Sequence, residues 1–150
     1  MRRPVIPVVL GVLGLIPFVG SAVGLERLPP LLTPFAFYVL KVYALLILAF
    51  LGGVHWGRAL SSGKALSFVW SVIPSLIGLG AALLPPEEMF LAFAGAFALA
   101  GLVDVVAFAR GGPRWYAWLR VVLTLIVGGV MAYAATQAGG WVVDPYGTFG

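Results

Sequence analysis

The chain has 150 residues, of which 62% are hydrophobic and 9% charged, whereas a soluble domain is about 45–50% apolar and about 25% charged. With a mean hydropathy of +1.09, no soluble fold of this length has enough interior to hide so much apolar surface, so a bilayer must solvate most of it. The net charge of +4 comes from basic residues scattered singly or in pairs, which argues for an orientation signal and against nucleic acid as a partner.

Five apolar segments of spanning length follow in order, at about 20 residues each for a hydrocarbon core of ~30 Å. They cover residues 5–25, 35–57, 65–84, 89–109 and 117–138. The breaks between them carry turn chemistry: Pro29, Pro30 and Pro34, then Ser61-Ser62-Gly63, Pro85-Pro86-Glu87-Glu88 and Gly111-Gly112-Pro113. Such short links make neighbouring spans antiparallel. The expected fold is therefore an all-α integral membrane protein, five transmembrane helices in one compact bundle forming a single domain. The expected membrane is the bacterial inner (plasma) membrane, or the mitochondrial inner membrane in a eukaryote.

Orientation follows from the basic residues. A cytoplasmic N-terminus puts Arg2, Arg3, Arg58, Lys64, Arg110, Arg114 and Arg120 inside, with only Arg27 outside beside Glu26, Glu87, Glu88 and Asp144. That asymmetry predicts N-in and C-out. A competing reading takes residues 1 to about 22 as a cleaved signal, but its apolar part is long for such a segment and holds Pro7 and Pro17.

Hydrocarbon offers an ionisable group no water, so the rare polar residues within spans are the functional candidates. His55, the chain's one histidine, ends the second span, with Trp56 next to it and Arg58 three residues on. Asp104 lies roughly 7 Å inside the end of the fourth span and Arg120 roughly 5 Å inside the start of the fifth. Because both flank the same tight turn, an Asp104–Arg120 ion pair is expected; unpaired, the carboxylate would cost several kcal/mol. Ser67, Ser71 and Ser75 point one hydroxyl row in one direction, and Pro74 frees a nearby carbonyl. His55, Trp56, Arg58, Ser67, Ser71, Asp104 and Arg120 therefore form an expected polar cluster at the cytoplasmic end, to be weighed as ligand site or structural clamp. Lys41 is on the His55 stripe but about 21 Å away, snorkelling outward beside Tyr38. Trp70, Trp115, Tyr116 and Trp118 read as an inner aromatic belt, with Trp141 and Tyr146 as outer counterparts. The spacings Gly20 to Gly24 and Gly53 to Gly57 are weak helix-packing signals.

Several blocks carry a family resemblance. Gly14-Leu15-Ile16-Pro17-Phe18, Tyr43-Ala44, the run Ile47-Leu48-Ala49-Phe50-Leu51-Gly52-Gly53-Val54-His55-Trp56-Gly57, and Trp70-Ser71-Val72-Ile73-Pro74-Ser75-Leu76 are followed by Asp104 and the run from Pro113 to Thr124. In this order they resemble the transmembrane protein 69-like family, small multi-span proteins of bacterial inner membranes and mitochondria grouped as a domain of unknown function. The resemblance implies that His55, Trp56, Asp104 and Arg120 belong to the family pattern. It supplies no activity. Lys41 and the tail from Gly139 to Gly150 stand outside it.

Catalytic templates are absent: there is no HExxH, phosphate-binding glycine loop or serine-nucleophile elbow. No cysteine is present, so disulfide, thiol-redox and thiolate-metal chemistry are excluded. A single histidine also leaves one chain without the paired imidazoles of a b-type haem, and no cofactor or metal is expected. The leading expectation is a non-enzymatic protein that binds membrane lipids, a quinone-like molecule or a partner membrane protein, a second copy of itself included. The alternative is a small oligomeric, proton-coupled transporter. An enzyme acting on a membrane substrate ranks third, and His55 within reach of Asp104 or Ser71 would raise it.

Overall fold

A computed structural model describes residues 5–109 and 114–138. Its regular elements are α1 (Val5–Leu13), α2 (Ile16–Arg27), α3 (Thr33–Ser62), α4 (Ala65–Ala82), α5 (Pro86–Ala109) and α6 (Arg114–Ala138), and no strand occurs among the described residues. Five helical segments are long and apolar enough to cross a membrane, α1 and α2 counting together as one. Large apolar side chains such as Leu31, Leu66, Phe35 and Trp118 are exposed around the outside, as expected when lipid is the solvent.

Several of the expected boundaries need correction, the fourth segment among them, which begins at Pro86 ahead of the expected residue 89. The first segment is not one continuous helix. It turns at Gly14 and Leu15 and then runs on to Arg27. Pro17 has no N–H to offer to the Leu13 carbonyl one turn back, and at the break the carbonyl of Gly14 accepts a hydrogen bond from the Tyr43 hydroxyl of α3 at 3.0 Å. Broken backbone is tolerated at membrane depth when protein groups satisfy it in this way. The second segment is longer than expected, 30 residues. Pro34 starts it, a position where the missing N–H costs nothing. It stops at Gly63, whose left-handed φ of 65° caps the helix through its N–H to the Ala59 carbonyl. The fifth segment begins at Arg114, ahead of the expected residue 117.

The helices close a ring: α2 packs on α3, α3 on α4, α4 on α5, α5 on α6 and α6 on α2, while α3 also meets α5 across the middle. Phe18, Leu40, Leu48, Met89, Phe90, Phe93 and Met131 fill the interior. Phe18 is edge-on to both Tyr43 and Phe97, a favoured aromatic geometry. By contrast, α1 has no buried residue and rests on α6 through Gly11 against Leu119 and Leu123.

Glycine allows the closest approaches. At Gly52 a Cβ would collide with the backbone carbonyl of Ser71, and at Gly101 with the Thr124 side chain. Small residues at such crossings let membrane helices pack backbone to backbone. Of the glycine pairs noted in the sequence, Gly24 meets the Ala36 Cβ, but Gly20, Gly53 and Gly57 face open space. Gly52→Ala should therefore destabilise the bundle by about 1–3 kcal/mol, as overpacking against a rigid neighbour does. The adjacent Gly53→Ala should leave stability within about 1 kcal/mol of wild type. Thermal unfolding of the two variants in detergent checks the contrast.

Candidate functional site

Near one end of the bundle, three helices bring their ionisable side chains to a common point. His55 comes from α3, Asp104 from α5 and Arg120 from α6, and all three are buried. The His55 Nε2 lies 2.6 Å from Asp104 Oδ1, and Arg120 Nε donates to Asp104 Oδ2 at 2.5 Å. A carboxylate paired with a guanidinium has only acceptors to offer, so the proton shared with His55 sits on Nε2. The Asp104–Arg120 pair expected from the turn symmetry is thus present, with the imidazole as a third member. Trp70, assigned from sequence to the aromatic belt, packs edge-on to the His55 ring, with centroids 6.4 Å apart.

Arg58 sits one helical turn beyond His55. Its guanidinium lies over the Phe108 ring at 3.9 Å and donates from Nη2 to the Ala107 carbonyl at 3.3 Å. Tyr116 packs on Phe108, with centroids 4.3 Å apart. Sequence reading missed Phe108 and gave Tyr116 to the belt. A usable signal existed, because Phe108 is four residues after Asp104 and Tyr116 four before Arg120, which puts each on the same helix face as a cluster residue.

The other expected members fare differently. Ser71 is buried, but its hydroxyl donates to the Phe68 carbonyl of its own helix at 2.5 Å. Ser67 is half-buried and makes no side-chain hydrogen bond with the triad. Trp56 is turned outward, 48% exposed, with its ring against Phe68. An acid–base dyad has its two members in contact here, but no hydroxyl hydrogen-bonds to His55 among the described residues. That leaves the pair without an aligned nucleophile. Lys41 is half-buried on α3, far along the helix from His55. At the opposite end, Tyr133 donates to the Glu26 carboxylate at 2.6 Å, a contact across 107 residues that spacing alone did not suggest. Trp141 and Tyr146 lie outside the described residues.

Beside the triad runs an apolar cleft of about 590 Å³, within the range of pockets that hold one small ligand. Its walls come from α1, α2, α3, α5 and α6, including Gly11, Phe18, Leu51, Phe97 and Leu123. Arg58, Tyr116 and Arg120 line one end of it. From Arg120 to Val127, also a lining residue, the cleft extends roughly 10 Å along α6. Arg58 Nη1, Arg120 Nη2 and Trp70 Nε1 are each buried with no acceptor among the described residues, and of the three residues only the arginines line the cleft.

A family model described as a protein of unknown function, DUF3429, matches residues 3–136. The chain belongs to the DUF3429 family. The match takes in the whole of α1 to α5 and nearly all of α6, so the triad and both cleft arginines are inside the region that defines DUF3429. No curated protein and no solved structure matches the chain.

Removing one member of a buried charge pair leaves the other uncompensated, at about 3–5 kcal/mol. Asp104→Leu and Arg120→Met should each lose stability on that scale, and the double variant should lose less than the sum of the two. Chemical unfolding in mixed micelles measures this cycle, and additive losses would mean that the pair is not coupled.

Proposed function

We propose that this chain is a non-enzymatic membrane protein that holds a lipid or quinone-like amphiphile in the cleft, with the head against the arginine end. The observation that carries this reading is an apolar cleft lined at one end by two arginines, each with a buried guanidinium nitrogen that has no acceptor among the described residues. Buried polar groups are satisfied in nearly all native structures, and an exception calls for an unaccounted partner. An amphiphile is the ligand type that offers an apolar body and a polar head together. In this reading His55, Asp104 and Arg120 act as the frame, fixing the Arg120 guanidinium through Nε. Trp56, Ser67 and Ser71 support the frame or the membrane interface. The charged lining gathers at one end, which favours binding over the transporter alternative, where polar groups would line a route across the bilayer.

The basic residues orient this end toward the cytoplasm. Together with the resemblance to transmembrane protein 69-like proteins, that supports a place in the bacterial inner membrane or its mitochondrial counterpart. The ligand would then be drawn from the inner leaflet.

Two measurements test the proposal. Native mass spectrometry of the detergent-purified chain should retain an amphiphile adduct that Val54→Phe, which fills the cleft, removes, while Leu31→Ala on the lipid-facing surface keeps it. An adduct unchanged by Val54→Phe would count against the cleft. For orientation, the chain has no cysteine, so Ser62→Cys gives a single thiol beyond the Arg58 end. Membrane-impermeant maleimide should label it only in inverted vesicles or after permeabilisation; labelling in intact cells would reverse the orientation.

A further inference from the structure

The charges at the arginine end do not balance, and the imbalance narrows the ligand. Asp104 is the only carboxylate there among the described residues. Glu26 closes α2 and Glu87 and Glu88 open α5, all at the other end of the bundle. Arg120 pairs with that one carboxylate and Arg58 with none, so these three groups carry a net charge of +1 even with His55 counted as neutral. Asp104 spends one oxygen on His55 and the other on Arg120, and Arg58 makes its contacts with a backbone carbonyl and an aromatic face. Neither contact supplies a negative charge. A guanidinium at membrane depth without a counter-ion is costly, and such residues pair with an anion or with one another's partners.

Resting on the cleft-binding reading, we propose that the occupant is a single-chain amphiphile with a carboxylate head, of the long-chain fatty acid class. One negative charge neutralises the group. Arg58 and Arg120 both line the cleft, so a carboxylate head there would meet both guanidinium groups. Charge-assisted bonds from arginine to a carboxylate are among the strongest polar contacts available. The remaining cleft is apolar and of single-ligand size. A neutral quinone head would satisfy the donors but leave the charge, and a diacyl phospholipid would bring a second tail.

The test is displacement of tritiated palmitate from the full-length chain in detergent, at alkaline pH, by unlabelled palmitate, methyl palmitate, phosphatidylglycerol and ubiquinone. Palmitate should compete at least tenfold better than methyl palmitate. Arg58→Gln, which leaves the Asp104 triad intact, should weaken palmitate at least tenfold and leave methyl palmitate unchanged, while Arg58→Lys recovers part of the difference. Thermal unfolding of both variants confirms that they fold. Equal competition by acid and ester, stronger competition by phosphatidylglycerol or ubiquinone, or no palmitate binding would each overturn the carboxylate assignment. The cleft-binding reading fails separately, if the native adduct survives Val54→Phe.

Discussion

The Asp104 carboxylate is the point on which the bundle depends. It is 2% exposed, in a segment apolar enough to span a membrane, where an unpaired carboxylate costs several kcal/mol. Both its oxygens are taken, one by α3 through His55 and one by α6 through Arg120. Helices α3, α5 and α6 are therefore tied at one depth, and a register slip of any of them would strand a buried charge. Apolar packing in lipid gives little discrimination between registers, because lipid tails solvate leucine as well as a neighbouring helix does. A polar tie supplies the missing specificity, as buried polar groups do in several other helical systems.

The same tie shapes the cleft. Arg120 gives Nε to Asp104 and is left with Nη2 free, and the guanidinium is held in one plane by that first bond. Arg58 is held separately, by the Ala107 carbonyl and the Phe108 face. Two arginines held in fixed geometry thus line one end of an apolar space, and preorganised groups lose little ordering entropy on binding. On the other side, α1 closes the cleft with glycine contacts and no buried residue. Few buried contacts mean a low local opening free energy, so α1 is the least firmly held wall of the cleft.

Much of this was legible in the sequence because bilayer physics leaves few choices. Five apolar runs with short links imply an antiparallel bundle, and the symmetry of Asp104 and Arg120 about one turn implies their pairing. What was not legible depends on rotation of helices about their axes. Trp56 and His55 are neighbours in sequence, yet one is turned outward and the other buried, and only packing decides which. Ser71 was read through its hydroxyl, but its carbonyl matters more, since that group sets the approach of α4 to Gly52. The break at Gly14 was hidden for a related reason. Pro17 marks a weak point in a helix, but the partner that satisfies the backbone at the break, Tyr43, comes from another helix 29 residues away.

The tie at Asp104 can be observed directly, because the chain has one histidine and nitrogen-15 histidine labelling gives the signals of a single imidazole. Solid-state NMR in lipid bilayers should find Nε2 protonated and hydrogen-bonded, with cross-peaks from it to the Asp104 carboxylate carbon. A bare Nε2, with the proton on Nδ1 alone and no contact to Asp104, would contradict the central role given to this carboxylate.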